Sequence, residues 1–143
     1  MVSARPSQRD LFTKRYRRVA APEPSELQLQ ISLIKHCRWR LRDDVLFLHV
    51  PNGEPRDKRT GAKLKAMGVL PGVADLLFIW NVDILGTRVL FLELKRKSGR
   101  STPAQCEFAT RANRAGAFYR TAYSIDDALA VLDSFSLFRT RRK

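Results

Sequence analysis

The sequence predicts an α/β fold of the α+β kind, in which one mixed β-sheet is flanked by helices. Helical and strand patterns follow one another in the order helix, three strands, helix, strand, helix, which is typical of a sheet with helices packed on its faces. Two of the three consecutive strands are joined by only seven residues, which favours an antiparallel hairpin. At 143 residues the chain is long enough for one domain with its own core.

The first half of the chain is predicted to contain a helix, a strand and a shorter helical piece. Ser25 caps the first helix, and Gln28, three residues later, completes a capping box. Leu27, Ile31 and Ile34 recur at helical spacing, so this helix is expected to end near residue 40. The other elements of this half are a strand over 45–50, a turn signal at Pro51-Asn52-Gly53, a polar loop, and a short helix over 62–67.

The second half is predicted to contain the hairpin, a helix, a strand and a last helix. Thr102 caps the middle helix, Pro103 takes its first position, and Gln105 completes a second capping box. Ser124 caps the last helix together with Asp127. The predicted ranges are 75–80 and 88–95 for the hairpin strands, 103–115 for the helix, 117–122 for the fourth strand, and 125–135 for the last helix.

Positive charge extends along the chain and into both ends. The chain has 27 Lys and Arg against 14 Asp and Glu, for a formal net charge of +13. We predict a basic arm over 1–23, a folded domain over 24–136 and a basic tail over 137–143. Basic ends around a folded body suit a polyanion, whose phosphates are contacted largely without regard to sequence. Solubility or a membrane-surface contact is the alternative, but neither end has the apolar face of an interfacial helix.

The cysteines and the apolar segments indicate the compartment. Cys37 and Cys106, the only two cysteines, fall within predicted helices, and we expect both to be small, buried and reduced. Without clustered histidines they do not predict a zinc site. No stretch approaches the roughly 20 apolar residues of a membrane span, and no apolar run follows the basic N-terminus. We therefore expect a cytoplasmic protein of a bacterial or phage-infected cell, or a nuclear one in a eukaryote.

Charged residues occur on both apolar strands of the predicted hairpin. Asp75 opens the first strand, Glu93 lies near the end of the second, and Lys95 follows on the same face as Glu93. An unpaired buried charge costs several kcal/mol or more, so these residues imply a use. Pairing of the strands can bring the two carboxylates together near the open end of the hairpin. An Asp–Lys or Glu–Lys ion pair is the structural alternative, because an E-x-K triplet is common by chance.

Two neighbouring carboxylates are what a hard divalent cation requires, and the backbone carbonyl of Leu94 could serve as a third ligand for Mg²⁺ or Mn²⁺. Such a cation would polarise a phosphodiester and lower the pKa of an attacking water. Lys95 could position that water or stabilise the transition state. In a chain with a net charge of +13, the expected substrate is a nucleic acid.

Five short motifs occur in order over residues 25–135: His49-Val50-Pro51-Asn52-Gly53, Gly61-Ala62-Lys63-Leu64-Lys65-Ala66-Met67-Gly68-Val69, Pro71-Gly72-Val73-Ala74-Asp75, Glu93-Leu94-Lys95 and Ser101-Thr102-Pro103-Ala104-Gln105. In this combination the chain resembles the VRR-NUC (virus-type replication-repair nuclease) domain of the PD-(D/E)XK nuclease superfamily. The resemblance implies an αβββαβ, restriction-endonuclease-like core and metal-dependent nuclease activity. Ala74 departs from the family pattern, which usually has proline there. Because that proline ligates nothing, activity is still expected.

The resemblance implies further site residues. Glu26 is the candidate for an early-helix glutamate that completes the metal site, although it would also complement the helix dipole. Glu23 is a poorer candidate because it lies in a proline-rich break. Gln105 matches a glutamine that faces the site; its capping-box role is an equally good alternative, and one side chain need not serve both. The implied catalytic residues are Asp75, Glu93, Lys95 and Gln105, and the implied metal ligands are Glu26, Asp75, Glu93 and the Leu94 carbonyl.

Basic and aromatic residues near the motifs are candidates for contacts with the substrate. His49 is better explained as a packed or hydrogen-bonded residue than as a general base. Trp39 and Trp80 could stack on bases, although Trp80 lies in a strand and is more simply explained by core packing. Each basic residue taken singly could also be a solvated charge. The predicted nucleic-acid contacts are Asn52, Arg56, Lys58, Arg59, Lys63, Lys65, Lys97 and Arg100.

Two classes of function fit these residues. The first is a Mg²⁺- or Mn²⁺-dependent, structure-selective DNA endonuclease acting on branched or duplex DNA in repair or recombination. A homodimer would present two active sites, as a Holliday-junction resolvase requires. The second is a non-catalytic, basic nucleic-acid-binding module that retains the fold, for which binding falls steeply with salt and no product forms. A structural protein of a ribonucleoprotein is a third, weaker alternative.

Overall fold

A four-stranded sheet with helices on both faces organises the chain. The computed structural model describes residues 22–51 and 58–140. The elements are α1 (Glu26–Arg40), β1 (Leu46–His49), α2 (Lys58–Ala66), β2 (Leu76–Val82), β3 (Gly86–Leu94), α3 (Pro103–Arg114), β4 (Phe118–Ala122) and α4 (Ile125–Ser134). This order confirms the predicted α+β class, and the short α2 lies between the first two strands, as predicted.

The sheet has the strand order β1-β2-β3-β4. The pairs β1–β2 and β2–β3 are antiparallel, whereas β3 and β4 are parallel, so the sheet is mixed as predicted. Because parallel neighbours require a long crossover, α3 lies between β3 and β4 in sequence and returns the chain across one face.

The hairpin connection is shorter than the seven residues predicted. Asn81 pairs with Thr87 and Val82 with Gly86, so both strands continue past their predicted ends. The connection is a short 3₁₀ turn over Asp83–Leu85. The strands are longer than predicted because backbone pairing at the exposed end of a hairpin does not depend on a pattern of buried side chains.

The helix α1 forms as predicted, but its buried stripe is not the one formed by Leu27 and Ile31. Those two side chains are 65% and 47% exposed, whereas Leu29, Leu33 and Cys37 are nearly fully buried. Both sets recur every four residues, so periodicity alone fits either face. The difference arises because only one side of α1 meets the sheet.

All three predicted N-caps are present. The Ser25 hydroxyl accepts a hydrogen bond from the Gln28 N–H, and the Gln28 side chain accepts one from the Ser25 N–H. Thr102 and Gln105 form the same reciprocal pair at the start of α3. The Ser124 hydroxyl accepts from the N–H of Asp127 at the start of α4.

The main core lies between the sheet and the layer formed by α1 and α4. Its largest buried side chains come from all three parts, namely Leu33, Leu76, Phe78, Leu90, Leu92, Leu94 and Leu132. On the opposite face, the Phe108 ring of α3 packs edge-on against Phe91, with centroids 5.0 Å apart. None of the described helices combines the length and apolar character needed to cross a membrane.

The two cysteines differ. Cys37 is buried in the core, as predicted, and burial raises the pKa of its thiol to about 12. Cys106 is exposed, so its predicted burial is wrong. It lies in α3, which packs on the sheet through the half-buried Phe108, and Cys106, two residues earlier, lies on the opposite side of the helix.

The chain packs on the core beyond residue 136, where the basic tail was predicted to begin. Leu137 is fully buried, and Phe138 forms an antiparallel bridge with Leu41. The Arg139 N–H donates to the Arg40 carbonyl at 2.8 Å. Residues 1–21 of the arm predicted over 1–23, and residues 141–143 of the predicted tail, lie outside the described residues.

Candidate functional site

Asp75 and Glu93 face each other at the open end of the β2–β3 hairpin. Leu76 pairs with Leu92, so continuing the register by one residue places Asp75 opposite Glu93. Directly opposed residues project to the same face of a sheet, and here that face is the one covered by α3. Pairing of the strands therefore brings together the two carboxylates on which the sequence analysis depends.

Backbone groups from two strands hold Asp75 in place. Its Oδ2 accepts a hydrogen bond from the Leu94 N–H at 2.9 Å. Its carbonyl accepts one from the Val50 N–H, also at 2.9 Å. The N–H and C=O of one strand residue point to the same edge, so the Leu94 carbonyl lies on the Asp75 side of β3.

His49 also contacts this segment. Its Nδ1 lies 2.8 Å from the Asp75 carbonyl oxygen and 2.8 Å from Nε2 of Gln30, and the tautomer decides which bond forms. The ring is thus engaged by backbone and side-chain groups next to the site.

Glu93 is the one charged residue that is buried among the described residues, with 3% of its surface exposed. Its Oε1 lies 2.8 Å from the Lys95 ammonium, whose side chain is itself only 11% exposed. The same oxygen accepts a hydrogen bond from Nε2 of Gln105. Two donors therefore orient this carboxylate, and one of them carries the charge that compensates it.

Burial and mutual repulsion destabilise the charged forms of both carboxylates. Burial is the main cause that raises the pKa of Asp75, opposed by the Leu94 N–H and Lys95. Burial also raises the pKa of Glu93, and the charge of Asp75 adds to the effect, whereas Lys95 opposes it. Burial alone would lower the pKa of Lys95, but its bond to Glu93 raises that pKa on balance. The pair thus holds negative charge in a place where a cation would stabilise it.

Glu26 lies at the border of this group. It is exposed, and its Oε1 accepts a hydrogen bond from the Arg96 N–H at 3.3 Å. Its charge nevertheless helps to raise the pKa of Asp75 and of Glu93, so it is close enough to interact with both. Glu23 contacts the same segment through the Lys97 N–H and the Arg96 guanidinium.

The oxygen atoms at this site are of the kind that bind a hard divalent cation. Asp75, Glu93 and the Leu94 carbonyl supply oxygen ligands, which Mg²⁺ and Mn²⁺ prefer, and Mg²⁺ usually retains several waters. In the part of the chain that the structure describes, no three His, Cys, Asp or Glu side chains are gathered as a ready-made metal site. Glu26 could join the two central carboxylates by exchanging its bond to Arg96 for the cation.

Gln105 caps α3 and also donates a hydrogen bond to Glu93. Its Oε1 accepts from the Thr102 N–H at 2.8 Å, which completes the capping box, while its Nε2 donates to Glu93. The amide can do this because its acceptor and its donor lie on opposite sides of one planar group. The cap of α3 therefore also fixes the orientation of a site carboxylate.

Sequence reasoning missed Tyr119. It pairs with Phe91 across β3 and β4, which places it on the face that carries Glu93, and Phe108 packs against its ring. Its hydroxyl is buried and has no hydrogen-bond partner among the described residues. Burial raises the pKa of Tyr119, and the charges of Glu93 and Asp75 raise it further. Strand alternation puts Tyr119 on the same face as Thr121, but only the β3–β4 register relates that face to Glu93.

The predicted nucleic-acid contacts lie on two exposed segments near this site. Lys97 and Arg100 are exposed just beyond the end of β3, and Arg59, Lys63 and Lys65 are exposed on α2. Lys58 begins α2. Asn52 and Arg56 lie outside the described residues.

Known proteins resemble this chain in structure. A solved structure described as a VRR_NUC domain protein superimposes with a TM-score of 0.63 and 23% sequence identity, over 82% of this chain and 93% of that one. No protein-family model matches the sequence, and neither does any curated protein. The likeness inferred from the five motifs is therefore confirmed at the level of the fold, which this chain shares with a VRR_NUC domain.

Proposed function

We propose that this protein is a Mg²⁺- or Mn²⁺-dependent, structure-selective DNA endonuclease that hydrolyses phosphodiester bonds. The observation that carries the proposal is the pair of facing carboxylates, Asp75 and Glu93, with the Lys95 ammonium 2.8 Å from Glu93. The fold shared with a VRR_NUC domain protein and the net charge of +13 support a nuclease and a polyanionic substrate.

Each site residue has a role that follows from its position. Asp75, Glu93 and the Leu94 carbonyl would hold the cation, and Glu26 would complete the set. When bound, the cation supplies Lewis-acid activation of the phosphate and lowers the pKa of the attacking water. Lys95 stabilises the charge that develops on the phosphate oxygens as the water attacks and the P–O bond breaks. Gln105 keeps Glu93 oriented.

The basic residues that flank the site would hold the DNA backbone. Lys97 and Arg100 follow β3 directly, so they are nearest to the scissile phosphate. Arg59, Lys63 and Lys65 on α2, with Asn52, Arg56 and Lys58 before and at its start, would contact phosphates further along the substrate. Such contacts position the duplex and carry no sequence information.

A dimer would adapt this single site to branched DNA. One active site cuts one strand, so resolution of a four-way Holliday junction requires two sites related by symmetry. The edge strand β1 exposes Leu46 and Leu48, 59% and 40% respectively, on one face, which a second copy could cover. Light scattering tests the proposal, and a monomer at all concentrations, both alone and with junction DNA, would remove it.

Cleavage of labelled DNAs tests the proposed activity. The substrates are single strand, duplex, flap, fork and four-way junction, each with EDTA, Mg²⁺ or Mn²⁺. Glu93→Ala serves as the control for contaminating nucleases. Arg114→Ala, at the exposed C-terminal end of α3, is the matched substitution outside the site. We expect metal-dependent products from the wild type and from Arg114→Ala alone. Salt-sensitive binding with no product under either metal would favour the binding module instead.

Replacing Gln105 by glutamate separates its two roles. Gln105→Glu keeps an acceptor for the Thr102 N–H but puts a carboxylate where Glu93 now receives a donor. We expect cleavage to fall by about 10- to 100-fold. Because the new charge raises the pKa of Glu93 further, the pH profile should also move to higher pH. A cleavage-rate profile measures both effects. An unchanged profile would show that Gln105 does not position Glu93, and Gln105→Ala provides the comparison without added charge.

A further inference from the structure

The two tryptophans have opposite environments. Trp80 is 4% exposed and packs edge-on against Phe135, with centroids 5.6 Å apart. Trp39, in the last turn of α1, is 83% exposed. An indole usually buries much of its large apolar surface. Trp39 thus offers to solvent an aromatic face that the core does not use.

Cations and no acids surround Trp39 on its helix. Lys35 lies one turn earlier on the same side, and Arg38 and Arg40 flank Trp39 in sequence. The only acid of α1 is Glu26, at its other end. A shallow pocket of about 250 Å³ lies beside the indole and is lined by Ser32, Lys35, His36, Trp39 and Arg40. An aromatic face beside positive charge is how proteins bind unpaired nucleic acid.

This surface is separate from the candidate site. Trp39 lies 13 residues after Glu26, and at 1.5 Å per residue the two are roughly 20 Å apart along the helix axis. That length corresponds to about six base pairs of duplex. A substrate that reaches both places therefore extends well beyond the phosphate being cut.

We propose that Trp39, with Lys35, is a second nucleic-acid contact that stacks on an unpaired base. The choice of nucleic acid rests on the proposed function and on the pocket beside the indole, whose lining includes Lys35 and Arg40 and no acid. Bases within a duplex are already stacked on their neighbours, so only an unpaired or terminal base can present a face to Trp39. The surface thus selects substrates that carry a single-stranded segment.

Tryptophan fluorescence tests the contact directly. Trp80→Phe leaves Trp39 as the only indole, and titration in EDTA with an unpaired oligonucleotide should quench and blue-shift its emission. A blunt duplex of equal length should produce a much smaller change. Trp39→Phe gives the complementary signal from Trp80, which should not respond. An unresponsive Trp39 under conditions where labelled DNA binds, or an equal response to duplex, would overturn the proposal.

Affinities measured by DNA anisotropy separate stacking from charge. Trp39→Ala should bind unpaired DNA about 5- to 100-fold more weakly, without changing the dependence of affinity on salt. Lys35→Ala should instead reduce the slope of the logarithm of the binding constant against the logarithm of the salt concentration by about 0.7. Ile84→Ala is the matched control, because Ile84 is 99% exposed in the β2–β3 connection and its sequence neighbours over 81–87 include no Lys or Arg.

The outcomes distinguish this contact from the nuclease activity. If Trp39→Ala cleaves DNA and binds unpaired DNA as tightly as the wild type, the proposed contact is wrong and the proposed nuclease function is unaffected. A response of Trp39 to unpaired DNA in a protein that never cuts would support the contact and remove the nuclease. A loss of self-association in Trp39→Ala with DNA affinity unchanged would overturn the contact and assign the surface to a second copy.

Discussion

Asp75→Asn is expected to abolish metal-dependent cleavage and to stabilise the metal-free protein. The amide still accepts the hydrogen bond from the Leu94 N–H, so the fold is kept. It removes a charged ligand of the cation and the charge that repels Glu93. We expect cleavage to fall at least about 100-fold, as for the loss of one strong electrostatic contact to a transition state.

The gain in stability should depend on pH in a defined direction. Burial raises the pKa of Asp75 above its ordinary value of 3.8, so the folded state holds the proton more tightly than the unfolded state. The stability of the metal-free wild type therefore falls as pH rises from near 3.8 through the raised value, and stays lower above it. The amide that replaces this carboxyl does not titrate. The advantage of the variant should be absent at acid pH and complete at neutral pH.

Thermal unfolding between pH 3 and pH 8 in EDTA measures this difference. In a domain of this size, each kcal/mol of difference in the free energy of unfolding shifts the Tm by roughly 4 °C. Glu107→Gln, which removes an exposed carboxylate within α3, is the matched control and should change the Tm little. Mg²⁺ at ten times its Kd should add about 1.4 kcal/mol to the free energy of unfolding of the wild type, which raises its Tm, and should leave Asp75→Asn unchanged. A variant that cuts DNA normally, or one less stable than wild type at neutral pH, would contradict this assignment.

Gly72→Ala is expected to destabilise the fold by about 3 kcal/mol. Gly72 has a φ of +77°, where a side chain adds roughly 1–2 kcal/mol of strain. Its added Cβ would also lie 2.3 Å from the carbonyl carbon and oxygen of Ala104 and 2.6 Å from the Gln105 nitrogen. These are backbone atoms of the first turn of α3, so either the turn or the helix must move, at a further cost of about 1–3 kcal/mol.

The same displacement should reduce activity in the folded variant. Gly72 precedes Asp75 by three residues, and its contact is with the turn that carries Gln105. Moving these segments apart changes the distance between the carboxylates and the group that orients Glu93, and a shift of about 1 Å can cost 100-fold in rate. Urea unfolding gives the stability, and cleavage well below the Tm gives the activity.

Gly68→Ala separates the backbone strain at a positive φ from the steric clash that Gly72→Ala would also cause. Gly68 has a similar φ of +89°, but apart from its chain neighbours no described residue has an atom within 4 Å of the position that an added methyl group would take. We expect this variant to lose only about 1–2 kcal/mol and to retain its activity. Equal losses in the two variants would mean that backbone strain alone matters and that the turn before β2 is not held against α3.

Local signals predicted the elements and much of the site. The capping residues Ser25, Thr102 and Ser124 each begin a helix where expected, because a cap depends on residues within one turn of each other. The two acid-bearing strands were recognisable from the charges on their apolar runs. Their antiparallel pairing then followed from a short connection, although its length was overestimated.

Features that depend on which side of an element meets the rest of the chain could not be predicted. Two stripes of α1 have the same period, and only the position of the sheet decides that Leu33 is buried while Ile31 is exposed. The exposure of Cys106 has the same origin. Tyr119 was not predicted because only the pairing of β3 with β4 places it near Glu93, and α3 separates these two strands in sequence.

The sequence by itself determined the order of elements, the basic character of the chain and the identity of the charged residues on the hairpin, since each is written in neighbouring residues. The tertiary structure alone decided that Asp75 faces Glu93 in register, that one Gln105 amide both caps α3 and holds Glu93, and that Trp39 remains in solvent. The reason is physical: register, burial and shared hydrogen bonds join residues distant in sequence, and their energies exist only once the sheet and helices have packed.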